Sequence, residues 1–387
     1  MYQRNEMMFK ALQSRNYKLF FYGQSISVIG TWLQKTAVSW MVYSITGSVF
    51  LLGLATFLSM IPSLFLAPLA GTIIGRYNRH RSMILLQSLA MLQAGALALL
   101  IYLKIYNITF ILALSLIQGI INAFDMTCRQ TMMVDIVDNK EDLPNAVALN
   151  STITNFARIA GPAFAGIILH QYGEDICFIG NFLSYIPVLI SLLLMKIKPY
   201  TKATDKLSML DDFMEGLEYV KKESEMAKML LMLACSSLFV ISFNTLMPVF
   251  AKDIFNGNAQ TFSWFESAAG IGSIISAIYL ANLKSAKKID RIMLAASVLL
   301  GFSILLLALS SSLILALVAM VLSGIGMMGQ TSTINIYIQT KSSSHMRSRS
   351  ISYYLMAYQG MVPVGSLVIG YVSHFIGIRT TVAIQGI

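Results

Sequence analysis

Charge is scarce in this sequence. Asp, Glu, Lys and Arg make up only 12% of 387 residues, against about 25% in a soluble domain, so a surface solvated by water on all sides is excluded. Cysteine is rarer still: Cys128, Cys177 and Cys235 form no metal spacing and read as small apolar packing residues. No metal site and no cofactor are expected. A Gly-x-x-x-x-Gly-Lys-Ser/Thr motif is missing, which argues against ATP as a direct drive. Enzymes fit poorly, since no deep pair of acids and no nucleophile with a base stands out. No cleavable signal is expected, because the first fifteen residues are polar and the apolar run after them is too long for a signal core.

Apolar residues fill the gap, at 56% of the chain. Runs of roughly 20 residues suit the hydrocarbon thickness of a bilayer. Eleven are read: Tyr17–Tyr43, Val49–Ala70, Met83–Leu103, Ile108–Met132, Val147–Leu169, Cys177–Met195, Met229–Val249, Phe262–Leu283, Ile292–Leu309, Leu313–Tyr337 and Ile351–Tyr371. In lipid every backbone amide must bond within its own segment, which makes each run helical. Barrel strands are excluded, because they take only about 10 alternating residues. The expectation is an all-α integral membrane protein with eleven full crossings and a stub, "IRTTVAIQGI", where a twelfth would stand. Either a truncation or an eleven-crossing form would give such an end.

The few cations are unevenly placed. Arg4, Lys10, Arg15 and Lys18 precede or open the first run, Arg76, Arg79 and Arg81 lie between the second and third, and a lysine-rich stretch follows the sixth. The alternate loops hold only Lys104, Lys252 and Arg379. Lys and Arg collect in loops that stay in the cytoplasm, so the N-terminus is expected inside and the net charge of +10 reports topology. Nucleic acid is not expected as a partner. We call the two ends of the bundle the basic end and the far end.

One polar stretch, Lys196 to Lys228, divides the chain into 1–195, 196–228 and 229–387. Within it Met209, Phe213, Leu217 and Val220 recur at helical spacing, as in an amphipathic helix lying at a membrane surface. Asp211, Asp212 and Glu215 are read as the solvated face of that helix rather than a metal motif, since a second acidic cluster at membrane depth is missing. Gly166-x-x-x-His170-x-x-Gly173 before the linker is matched by Gly370-x-x-x-His374-x-x-Gly377 after it, and "LIQGIINA" from Leu116 by "VLSGIGMM" from Val321. These matches predict two parallel six-helix repeats, as in transporters whose substrate sits between halves.

Several motifs resemble the major facilitator superfamily. The stretch "AGTIIGRYNRHRS" is similar to its loop 2–3 signature, with Gly71, Arg76 and Arg79 in place, Gly75, Asn78 and His80 departing from it, and Arg81 one place beyond the last arginine. "GQSISVIGTWLQKTAVSWMVYSITGS", "AFDMTCRQTMMVDIVDNKEDLPNAVALNS", "FARIAGPAFAG" and "MRSRSISYY" resemble the exporter branch that includes the enterobactin exporter and the transmembrane secretion effectors. The resemblance implies a monomeric secondary transporter of the bacterial inner membrane, moving a small organic molecule such as a siderophore, drug or amphipathic metabolite by alternating access. An ion gradient, of protons in the leading reading, would drive it, and its other partner is membrane lipid. Uptake by the same fold and a non-transporting sensor or scaffold are the alternatives.

Ionisable residues inside apolar helices cost at least ~3 kcal/mol each near the bilayer centre, so each needs a partner, a water-filled cavity or a task. Asp125 and Arg129 are one turn apart and suit an ion pair. With Gly71, Arg76, Arg79 and Arg81 the resemblance makes them a cytoplasmic gate. Lys35, Arg158, Glu266, Gln34 and Asn155 are the substrate or coupling candidates. Gly161, Pro162 and Gly166 resemble the fifth-segment signature of antiporters; physically they allow a kinked, close-packed seam. The family's fourth-segment arginine is replaced by Ser115, so coupling through it is not expected.

Overall fold

The structure is a computed structural model. It describes residues 10–197, 209–281, 289–343 and 346–387, without the side chains of 67–69, 71–72, 75–76, 140, 144, 209–213, 281 and 347–348. All regular elements among the described residues are helical. In chain order they are α1 (Arg15–Thr46), α2 (Val49–Arg76), α3 (Arg79–Tyr102), α4 (Ile108–Ile136), α5 (Leu143–Gln171), α6 (Glu174–Leu194), α7 (Met209–Lys222), α8 (Ser224–Phe239), α9 (Ala259–Ala281), α10 (Ile289–Leu309), α11 (Leu313–Lys341), α12 (Arg347–Leu355), α13 (Met361–Ile376) and α14 (Ile378–Gly386).

Local chemistry places the ends of these helices. Asn78 and Asn107 open α3 and α4, their side-chain oxygens accepting from the backbone N–H of Arg81 (3.1 Å) and Thr109 (2.9 Å) and so satisfying orphan donors of the first turn. Gly173 joins α5 to α6 with φ +92° and ψ 178°, and Gly377 joins α13 to α14 with φ +82° and ψ 157°. Only glycine takes that backbone readily, and these are the closing glycines of the two matched motifs.

Nine stretches among the described residues are long and apolar enough to cross a membrane. The expected eleven is not met on that criterion. The other two runs lie in α1 and α9, which are helical over 32 and 23 residues but carry Lys18, Gln24, Gln34 and Lys35, or Gln260, Glu266 and several serines. Two further runs are not the plain helices expected. After α8 the chain continues as a 3₁₀ stretch, Ile241–Leu246, a single turn, Met247–Val249, and a π stretch, Phe250–Ile254. Pro248 has no N–H for the Asn244 carbonyl, which accepts from Met247 instead. Between α12 and α13 a π stretch, Met356–Gly360, lies just ahead of Pro363, where the i→i−4 ladder again lacks a donor.

Contacts divide the chain into two units, Met1–Met41 with Phe65–Thr204, and Val42–Leu64 with Asp205–Ile387. In the first, α3 packs on α4 and α6, around a core that includes Tyr17, Phe20, Met83, Ile121, Met132 and Val188. Gly161 of α5 lies against α1, where a Cβ would overlap that of Trp32 and approach the Leu33 backbone at 3.1 Å. Gly161, Pro162 and Gly166 are all buried and α5 runs on through the proline. Close backbone approach of this kind holds membrane helices together where lipid tails are as apolar as leucine.

In the second unit α11 packs on α9 and α10, and α13 on α8. The linker residues form α7, which buries Gly216 and Val220 and half-buries Leu217; the side chains of Met209 and Phe213 lie outside the described residues. Glu215 pairs with Arg349 of α12, and the Tyr219 hydroxyl accepts from the Ser343 N–H at 3.2 Å. The side chains of Asp211 and Asp212 lie outside the described residues. The last element, the nine-residue α14, packs on α10, with Gln385 donating to the Phe239 carbonyl at 2.7 Å.

Candidate functional site

The basic end of the first unit carries a buried polar network. Asp125 is 8% exposed near the end of α4 and pairs with Arg129 one turn on. Its Oδ1 accepts from Gln87 Nε2 of α3 at 2.6 Å. With the amide of Gln24 turned so that its oxygen faces α4, that oxygen accepts from Arg129 Nη1 (2.9 Å) and Nη2 (3.1 Å). The charge pair is thus clamped between α1 and α3, which supply the hydrogen bonds that a desolvated pair requires.

Next to it, Arg79 donates from Nη1 to both carboxylate oxygens of Asp135 (3.2 and 3.0 Å), and its carbonyl accepts from Cys128 Sγ at 3.3 Å. The His80 ring nitrogen meets the Leu192 carbonyl at 2.8 Å. Arg81 is exposed. The surroundings of Gly71 and the side chain of Arg76 lie outside the described residues, and with them their part in the expected gate. Asp135, Gln87 and Gln24 were not among the expected site residues; the signal for Asp135 was its place at the end of the same helix as Asp125.

The substrate candidates separate into distinct environments. Gln34 is 5% exposed, its Nε2 donating to Gln93 Oε1 (3.2 Å) and its Oε1 accepting from Asn181 (2.8 Å), while Gln93 donates on to the Leu114 carbonyl (3.1 Å). Both amide atoms of Gln34 are spent on tying α1, α3 and α6 together. Glu266 is half-buried in the second turn of α9. Lys35 is exposed on α1, with Nζ 4.6 Å from the Trp32 ring centre.

Arg158 and Asn155 lie in the middle of α5, half-buried, and among the described residues neither makes a hydrogen bond or ion pair. They continue a polar face: Ser151 and Thr154, at helical spacing from them, are exposed, whereas Pro162 and Ala165 further along are buried. The Ser151 and Thr154 hydroxyls bond carbonyls of their own helix, whereas Asn155 and Arg158 would be costly against hydrocarbon.

The far end of the second unit holds a group that the sequence reading missed. The Tyr43 hydroxyl donates to Asp253, and Lys252 donates to the Ser44 carbonyl at 3.2 Å with its Nζ 5.5 Å from the Tyr43 ring centre. Tyr43 closes an apolar run and Asp253 reads as a loop acid, so nothing in their local sequence joins them.

Residues 7–387 match the family described as Transmembrane secretion effector. Among curated relatives, the Staphyloferrin A transporter of Staphylococcus aureus is 26% identical over 371 residues, covering 96% of this chain and 92% of that protein. Macrolide efflux protein A of Streptococcus pyogenes is 21% identical over 298 residues, 75% of this chain and 73% of that one. Among solved structures, a bacterial homologue of the human lysosomal transporter Spinster, inward-facing and unoccupied, superposes with a TM-score of 0.72 at 14% identity, over 93% of this chain and 83% of that one.

Proposed function

This chain belongs to the transmembrane secretion effector family of the major facilitator superfamily and is a membrane transporter rather than an enzyme, and we propose that it exports a small amphipathic organic molecule by alternating access. The observation that carries the reading is the polar face of α5, from Ser151 to Arg158. Arg158 has no hydrogen-bond or ion-pair partner among the described residues, and an arginine at mid-length of a membrane helix calls for a partner or a water-filled cavity, which the lining of a transport pathway supplies. Siderophore or drug-like cargo is supported by the named activities of the Staphyloferrin A transporter and Macrolide efflux protein A.

The chain sits in the bacterial inner membrane with the basic end in the cytoplasm, following the bias of its loops. It works as a monomer of two six-helix repeats, 1–195 and 229–387, joined by the linker. The shared backbone of Gly173 and Gly377 supports that repeat. The α1 and α9 helices cross the membrane with the nine more apolar stretches, their polar residues turned to protein or water. Asp125, Arg129, Arg79, Arg81 and Arg76 with Gly71 form the cytoplasmic gate, while Lys35, Arg158 and Asn155 face the cargo. Glu266 is the candidate for carrying the coupling proton. Gly161, Pro162 and Gly166 are the seam on which α5 moves against α1.

The test is retention of a panel of siderophores and toxic amphiphiles in cells expressing the parent chain or Arg158→Ala at matched membrane levels. Lower retention of at least one compound with the parent chain, lost in the variant, is the expected result. Unchanged retention of every compound by a folded parent chain overturns export.

A further inference from the structure

Two cations stand close along the sequence to the place where α5 meets α1. Gly161 seats α5 on α1 at Trp32. Both helices lie in the same unit and run parallel, since the Tyr17 hydroxyl donates to the Ala146 carbonyl near their starts and Gly161 meets Trp32 further along. Arg158 lies three residues before Gly161 and Lys35 three residues beyond Trp32, so the two cations bracket the contact, offset along the helix axes by six residues of rise, about 9 Å. Trp32 is half-buried, with the Lys35 ammonium over its ring. On α5 the amide of Asn155 stands one turn before Arg158, with no hydrogen bond among the described residues.

We propose that Arg158, Asn155, Trp32 and Lys35 form an anion-binding subsite, and that the cargo is an organic anion whose flat or apolar body lies on Trp32 while its acid groups reach Arg158 and Lys35. This rests on the transport reading above and adds the substrate class. The chemistry favours an acid over a cation or a neutral amphiphile. A guanidinium at membrane depth is costly without a counter-charge, its planar fork matches a carboxylate or catecholate with two parallel bonds, and a neighbouring amide adds a donor. Two separated cations select a cargo with two acid groups over one with a single acid.

The test uses the full chain, purified in detergent, with Trp40→Phe and Trp264→Phe leaving Trp32 as the only indole. Fluorescence is titrated with citrate, 2,3-dihydroxybenzoate, a neutral amphiphile and the cationic dye ethidium. The expected result is saturable change with an anion, weakened at least about tenfold in Arg158→Gln and retained within a few-fold in Arg158→Lys, which keeps the charge and controls for folding. Lys35→Ala is expected to weaken citrate more than dihydroxybenzoate. Saturation by ethidium or the neutral amphiphile alone, equal anion affinity in Arg158→Gln, or no response to either anion overturns the proposal. The same protein in liposomes separates the two readings. Gradient-driven flux of ethidium at parent rates in Arg158→Gln removes the anion subsite and leaves transport standing, whereas anion binding without flux of any probe does the reverse.

Discussion

The hydroxyl of Tyr43 donates to the carboxylate of Asp253 across 210 positions of sequence, joining the end of α1 to the irregular stretch after α8. Lys252, the neighbour of that aspartate, donates to the Ser44 carbonyl beside the tyrosine. Two adjacent residues of one segment are thus tied to two adjacent residues of another, a two-point tie within the second unit.

Tyr43→Phe removes the donor and leaves the ring. One hydrogen bond to a charged group is worth about 1.5–3 kcal/mol, so opening of this end becomes roughly ten- to a hundredfold more populated. In a background without native thiols, a cysteine in place of Val42, which is fully buried, should react faster with a membrane-impermeant maleimide when Tyr43→Phe is added. Equal rates would mean the bond does not restrain the far end.

Asp125→Asn and Arg129→Gln each strand a buried partner. Breaking one side of such a pair costs about 3–5 kcal/mol, and both single variants should melt well below the parent in detergent. The double variant should recover part of the loss, because no uncompensated charge remains. A double variant as unstable as the sum of the singles would show that the two side chains act independently.

Gly161→Ala forces a methyl group into Trp32 and the α1 backbone. Overpacking of this kind costs about 1–3 kcal/mol, and Gly161→Val should exceed it. Thermal stability of the two variants should fall in that order, while Gly180→Ala, where a Cβ would meet nothing within 4 Å, should stay close to the parent.

Glu215 and Arg349 tie the linker helix to α12. The carboxylate is half-exposed, so Glu215→Gln should cost no more than ~1 kcal/mol of global stability. Its local effect should be larger. Trypsin is expected to cut at Lys221 and Lys222 faster in the variant, and the exchanged pair Glu215→Arg with Arg349→Glu should restore the parent rate.

Much of this protein is written locally. Apolar runs of bilayer length have only helices to choose from, because lipid offers no partner to a backbone amide, and the run boundaries fall within a few residues of α2 to α6, α10 and α11. The Asp125–Arg129 pair was legible for the same reason, since four residues of helix bring two side chains together whatever else the chain does. The small-residue seam at Gly161 was legible as a seam, though not as one that seats on Trp32.

Tertiary structure decided the rest. Gln34 and Arg158 are both polar residues in apolar helices, and their sequences do not distinguish them; packing gave Gln34 two amide partners on α3 and α6 and left Arg158 with none among the described residues. Pro248 and Pro363 each withhold a donor from the helical ladder, yet the runs that hold them read as plain helices; whether the backbone tightened to 3₁₀ or widened to π was settled by packing. Tyr43 found Asp253, and Arg79 found Asp135, only because distant helices were brought side by side. Composition and periodicity determined that the chain is a set of membrane helices, since that follows from the solvent alone. Which polar groups are spent on holding the bundle and which remain for a ligand is a question of partners, and partners exist only once the helices have packed.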